Sequence, residues 1–256
     1  LRVKAGKFGR ASLAKMVPTA ISSLMGTVVG VFNPQITIAY AEGDKEKLVD
    51  IIKSCNRILI FIMSIPIAFL TAYGRDFYAL WQPTKDPDML QRLSLLAVGV
   101  LYVSMSIQVL YHVFIITKKV KWNSLVVLGS GICSSLLSLI LLSKTDLGVA
   151  CFPLSSMLTG VLRNMIFTPI YAARCLEIRW NRFYSDIFLG FASIGTITVL
   201  GLLSRMIVPI HSWIILLLTG VVMGPLALLV NFFVILRKQE RKMVIGMVRS
   251  RLKGEA

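Results

Sequence analysis

The sequence predicts an all-α, polytopic membrane helical bundle of about seven transmembrane helices, and three observations predict it. Apolar residues fill 56% of the 256 positions. Charged residues make up only 16%, against about a quarter in soluble domains, and the mean hydropathy is +0.76. The apolar residues also fall in runs long enough to cross the hydrocarbon core, which takes about 20 residues of helix. In that medium every backbone N–H and C=O must be paired within the chain, so each run is expected to be helical.

Seven spans follow in order. The first, residues 12–40, carries Pro18 and Pro34; membrane helices tolerate proline because neighbouring groups re-satisfy the backbone it frees. "NPQITIAYAEGDKEKL" then leads into the second span, residues 49–73. Pro34 is expected to bend or end the regular part of the first span, with Asn33 and Gln35 satisfying freed groups or touching the second. Gly43 suits a left-handed C-cap, Asp44 an N-cap, and Glu46 the first turn that follows. This junction reads as a hinge. The remaining spans cover 90–116, 123–142, 147–173, 186–208 and 213–236. Pro66, Pro153, Pro169 and Pro225 mark expected kinks.

The distribution of Lys and Arg sets the orientation. With "RKQERKMVIGMVRSRLKGEA" in the cytoplasm, four cytoplasmic stretches hold sixteen basic residues. The three external loops hold five: Arg75, Lys85, Arg92, Lys144 and Arg205. Arg2, Lys4, Lys7, Arg10 and Lys15 fall outside, against the rule, which is a reason to look for a function in them. The basic tail reads as a topology determinant on anionic lipid, at about 1 kcal/mol per residue. The net charge of +16 thus points to a membrane surface, and no RNP-like, zinc-finger or basic-zipper pattern points to nucleic acid. The opening "LRVKAGKFGR" is not followed by a signal-peptide pattern, and the chain reads as the downstream part of a longer protein.

Enzymatic signatures are missing: there is no GxSxG, HExxH, P-loop or GxGxxG. The four cysteines form no CxxC pair and the two histidines lie far apart, so neither a metal centre nor a disulfide framework is expected. All twelve acidic residues fall in predicted loops or at helix ends, which argues against a cavity built for cations. Basic groups do enter the spans. Arg163 lies well inside the fifth, where an arginine costs roughly 2.5–3.5 kcal/mol and should face the bundle interior, a wet cavity or the headgroups. Arg57 is expected to snorkel to the headgroups. Gln108 and His112, four apart, share one face and either line a cavity or bond a neighbouring helix. Lys15 and Arg10 flank the outer end of the first span, and with Arg163 they can form a cationic surface for an anionic substrate.

Several stretches resemble one family. "VFNPQITIAYAEGDKEKLVDIIKSCNRI" resembles a span junction within one lobe of polysaccharide flippases, and "FYALW" is similar to the end of their next span. "FIITKKVKWNSLV" is similar to a short basic turn of the same lobe. "LGVACFPLSSMLTGVLRNMIFTPIYAARCLEIRW" resembles the final lobe helix of Wzx-type O-antigen and capsule flippases, within the MATE-like multidrug/oligosaccharidyl-lipid/polysaccharide exporter superfamily. That last motif is the most specific, although "SKTDLGVACF" is shorter than the family's glycine-rich approach to it. The resemblance covers residues 12–186 or thereabouts.

The resemblance implies that residues 1–185 form the C-terminal lobe, incomplete at its start, that 186–236 add two further helices, and that 237–256 form a basic cytoplasmic tail. It implies a multi-pass protein of the bacterial inner membrane that flips an undecaprenyl-diphosphate-linked oligosaccharide by alternating access. The partners implied are that lipid-linked oligosaccharide, membrane lipids and an N-terminal lobe of the same protein. No cofactor is implied beyond a coupling ion, proton or sodium. Arg163 matches a basic family position and heads the candidate substrate-binding residues, because a guanidinium fits a phosphate in two-point fashion. Lys15, Arg10, Gln108, His112 and Asn164 follow. A cation-coupled drug exporter and a lipid II flippase share the fold and remain the alternatives.

Overall fold

The computed structural model describes residues 5–238, 240–242 and 245, with side chains from residue 12 onward. Arg2, Lys4 and most of the predicted basic tail lie outside the described residues, as do the side chains of Lys7 and Arg10. The elements run α1 (Ala5–Ala41), α2 (Lys45–Trp81), α3 (Pro87–Ser104), α4 (Leu110–Ile116) and α5 (Val120–Lys144). Then come α6 (Cys151–Leu162), α7 (Thr168–Cys175), α8 (Tyr184–Ile207) and α9 (Trp213–Val234). A 3₁₀ turn at Gly148–Ala150 precedes α6, and a π-helical turn at Arg163–Phe167 joins α6 to α7. The described residues contain no strand. Six of their helical stretches are long and apolar enough to cross a membrane, so the chain is an all-α polytopic membrane bundle. The predicted third span is not among the six, because it is split between α3 and α4.

Helix direction alternates, which gathers the connections at two ends. Lys45, Lys119, Arg182 and Arg237 lie at one, here the basic end, and Arg75, Lys85 and Arg205 at the other. At the basic end Gly43 adopts φ 78°, the left-handed C-cap expected of it. The Asp44 carboxylate accepts from the N–H groups of Glu46 and Lys47, both at 3.1 Å, which starts α2 as expected. Lys45 pairs with Glu177 beyond α7, and its ammonium holds the Glu177 carboxyl below the usual carboxylate range. At the opposite end Asp86 caps α3 with Pro87 in its first turn. Arg75 grips Asp88 at 2.7 Å and keeps that carboxyl low in the same way.

Pro34 does not end α1, which continues to Ala41. Phe32 and Ile36, 5% and 0% exposed, fasten the helix to the core on both sides of the proline, so one missing hydrogen bond does not break it. Asn33 and Gln35 do not take the expected parts: Asn33 Oδ1 is buried without a partner, and Gln35 is exposed. Two other prolines are answered by tyrosines. Pro18 has no N–H for the Ala14 carbonyl, four residues earlier, and the Tyr78 hydroxyl donates to that oxygen at 3.2 Å. Pro169 likewise frees the Met165 carbonyl, and the Tyr184 hydroxyl donates to it at 2.9 Å.

Helix α2 is the centre of the bundle, and α8 packs along it. At the opposite end Arg205 reaches Asp76 at 2.7 Å, beside a Tyr73–Ser204 hydrogen bond. Two glycines of α8 let backbones close up: a Cβ on Gly201 would stand 2.8 Å from Ala72 Cβ, and one on Gly190 would run into Ser106. Helix α9 is pinned through Asn231, whose amide donates to Ser64 Oγ at 2.7 Å and accepts from Ser193 Oγ at 2.8 Å. Arg57 does not snorkel. It lies 12% exposed, with Nε 3.7 Å from Asp186 and 4.0 Å from Glu240. The expectation that acidic groups stay at loops and ends thus needs a correction in kind. Asp186 is at a helix end, yet fully buried, and Glu240 is 3% exposed.

Candidate functional site

Two helical irregularities face each other inside the bundle. Between α3 and α4 the backbone tightens into three-residue turns, with Ser106 N–H on Val103 O at 3.0 Å and Ile107 N–H on Ser104 O at 3.1 Å. Opposite, Arg163–Phe167 loosens into a π turn, and the Thr168 N–H reaches back to the Arg163 carbonyl. Such departures from α geometry are common at functional positions, and discontinuous helices mark the binding region of many transporters.

Asn164 joins the two. It is 1% exposed, donates to Ser104 Oγ at 2.8 Å and accepts from the Tyr111 hydroxyl at 2.9 Å. Ser104 sits at the last turn of α3 and Tyr111 in the first turn of α4, so one amide spans the break. It is thus a buried link within the bundle. His112 bonds Thr37 of α1 at 2.9 Å, tying α4 to the first helix. Gln108, one turn earlier in the break before α4, is half-buried.

Arg163 leaves the first residue of the π turn toward α5. Its Nε donates to Asn164 Oδ1 and its Nη1 to Ser130 Oγ, both at 3.3 Å. Among the described residues no carboxylate lies within ion-pair distance of it. It edges a shallow groove of about 490 Å³ between α5 and α6, with Trp122, Ser130 and Thr159. Lys15 is exposed and edges a different groove of about 340 Å³ between α1, α3 and α6, with Thr19, Ser22 and Ser156. The structure therefore does not gather Lys15 and Arg163 into one cationic pocket. A bond between Ser156 and Ser134 Oγ at 3.3 Å is where α5 and α6 meet between them. A third, almost wholly apolar groove of about 360 Å³ opens between α1, α2, α8 and α9, lined by Ile65, Phe69, Phe77 and Met223 among others.

Sequence reasoning named Asn164, Gln108 and His112 but not the groups that hold them, Ser104, Tyr111, Thr37 and Ser130. A lone serine or threonine in an apolar helix carries no signal of its own, since many of those here bond a carbonyl one turn back, as Ser155 does to Cys151. No group of three or more His, Cys, Asp or Glu side chains able to hold a metal occurs among the described residues.

No protein-family model matches the chain, and no solved structure matches it. The chain is similar to a membrane protein. The relative, described as the uncharacterized membrane protein EpsK of Bacillus subtilis (strain 168), is 26% identical over 249 residues. That alignment takes in 97% of this chain and 49% of the relative, so the chain spans about half the length of the curated relative it matches.

Proposed function

We propose that this chain is the C-terminal half of a polysaccharide flippase of the Wzx type. It moves an undecaprenyl-diphosphate-linked oligosaccharide across the bacterial inner membrane by alternating access, with its C-terminus in the cytoplasm and without covalent catalysis. The observation that carries the reading is Arg163: a half-buried guanidinium on an apolar groove, at a break in helical geometry, with no carboxylate of the described residues within ion-pair distance. A cation at membrane depth without a counter-ion is costly and is matched by an anion that visits, such as a diphosphate, to which a guanidinium presents two parallel donors. Lys15 offers a second cation on another groove, and among the described residues no Asp or Glu lines either groove. A carrier of cationic drugs would call for the reverse.

Arg163→Ala and Arg163→Glu in the full-length protein should abolish surface polysaccharide while leaving the amount of membrane-inserted protein unchanged. Normal surface polysaccharide in either variant would sink the diphosphate role.

A further inference from the structure

A cluster of charged and amide side chains is closed inside the basic end, between α2, the first turn of α8 and the segment after α9. Asp186 and Asn56 are 0% exposed, and Arg57 stands between the two carboxylates, Asp186 and Glu240. These carboxylates are held unequally. Glu240 accepts from Ser54 Oγ at 3.1 Å and from the Arg237 N–H at 2.7 Å. Asp186 has Asn56 Nδ2 and Ser185 Oγ at 3.5 Å and Arg57 Nε at 3.7 Å, all beyond the range of a good hydrogen bond. Two polar atoms beside it, Asn56 Oδ1 and Arg57 Nε, are buried with no partner.

An orphaned acceptor next to an under-bonded carboxylate is the arrangement a carboxylic acid satisfies. An O–H on Asp186 can donate to the Asn56 amide oxygen once that amide is turned over, which exchanges its O and N without moving the side chain. Neutral Asp186 leaves Arg57 with Glu240 and takes from Lys53, 9% exposed, the carboxylate that faces it. The charged groups facing Asp186 are Lys53 and Arg57 from α2 and Arg237 from the segment after α9. Arg182, from the loop before α8, faces Lys53, and Glu240 completes the set. Ser185 is exposed and lies within 3.5 Å of both Asp186 Oδ1 and Lys53 Nζ, which gives a path from the water at the basic end.

We propose that Asp186 is a reversible proton-binding site. Its carboxylate takes a proton from the aqueous phase at the basic end, becomes a neutral acid bonded to Asn56, and leaves Arg57 paired with Glu240 alone. The proton thereby decides whether Arg57 ties α2 to both α8 and the segment after α9 or to that segment alone.

Infrared difference spectra of the full-length protein in lipid, recorded as the pH is lowered, test this. A protonated-carboxyl C=O component should appear, move on ¹³C-carboxyl labelling of aspartate, vanish in Asp186→Asn and persist in Glu240→Gln. A component that is absent from the wild type, indifferent to aspartate labelling, retained in Asp186→Asn or lost in Glu240→Gln overturns the assignment. The labelling arm uses the unaltered protein, so a component that does not move on aspartate labelling overturns the assignment even where a substitution prevents folding.

Discussion

Helices α2 and α5 are both membrane spans, and they live in opposite surroundings. In the most apolar stretch of α2, 67% of residues are buried within the chain; in that of α5 only 6% are. Yet α2 carries Lys53, Asn56, Arg57 and Asp76, whereas α5 carries no charged or amide side chain between Ser124 and Ser143. In water the more apolar segment would be the inner one. Here lipid is as apolar as leucine, so burial of apolar area sorts nothing, and polar groups need partners that only the protein supplies. The helix with the charged and amide side chains therefore becomes the core, and the one whose middle lacks them can sit at the rim, packed chiefly on α6.

That contrast can be broken first at Arg57. Arg57→Ala leaves Asp186 and Glu240 buried without their shared cation, and loss of one partner of a buried ion pair costs about 3–5 kcal/mol. A large drop in the thermal unfolding midpoint in detergent is expected, and a midpoint equal to wild type would refute the picture of α2 as an ionic core. Gly201→Val tests the steric half of the same contact. The added methyls meet Ala72 and Tyr73, and overpacking of this kind costs about 1–3 kcal/mol, read as a smaller drop in the same midpoint. On α5 the matching change should do almost nothing: Leu139, 62% exposed, replaced by Ala should stay within about 0.5 kcal/mol of wild type. A loss at Leu139 as great as at Gly201 would mean that α5 is a core helix after all.

Much of the bundle was legible in the residues because the signals were local. Apolar length placed six continuous stretches, and Gly43–Asp44 fixed the α1–α2 turn through one backbone conformation and one side-chain cap. What escaped depends on neighbours distant in the chain. The break after Ser104 contains neither proline nor glycine, and it is held by Asn164, sixty residues on. Arg57 looked like a headgroup seeker because its partners, Asp186 and Glu240, lie far along the sequence and come together only when α8 and the segment after α9 pack on α2. Among the candidate site residues, Asn164 and His112 stood out as polar groups in apolar helices. That Lys15 and Arg163 face different grooves follows from the rotation of α6, which no spacing rule supplies.

The tyrosines that answer Pro18 and Pro169 carry one last consequence. A helix bends at the cost of stretching its ladder of carbonyl–amide bonds, but at Ala14 and Met165 that rung is already absent and a side-chain hydroxyl from another helix stands in its place. Such a bond can lengthen, or pass to a water molecule, without unwinding a turn. Each proline thus makes a compliant joint, and Tyr78 and Tyr184 act as its stays, coupling any bend in α1 to α2 and any bend at the α6–α7 junction to α8.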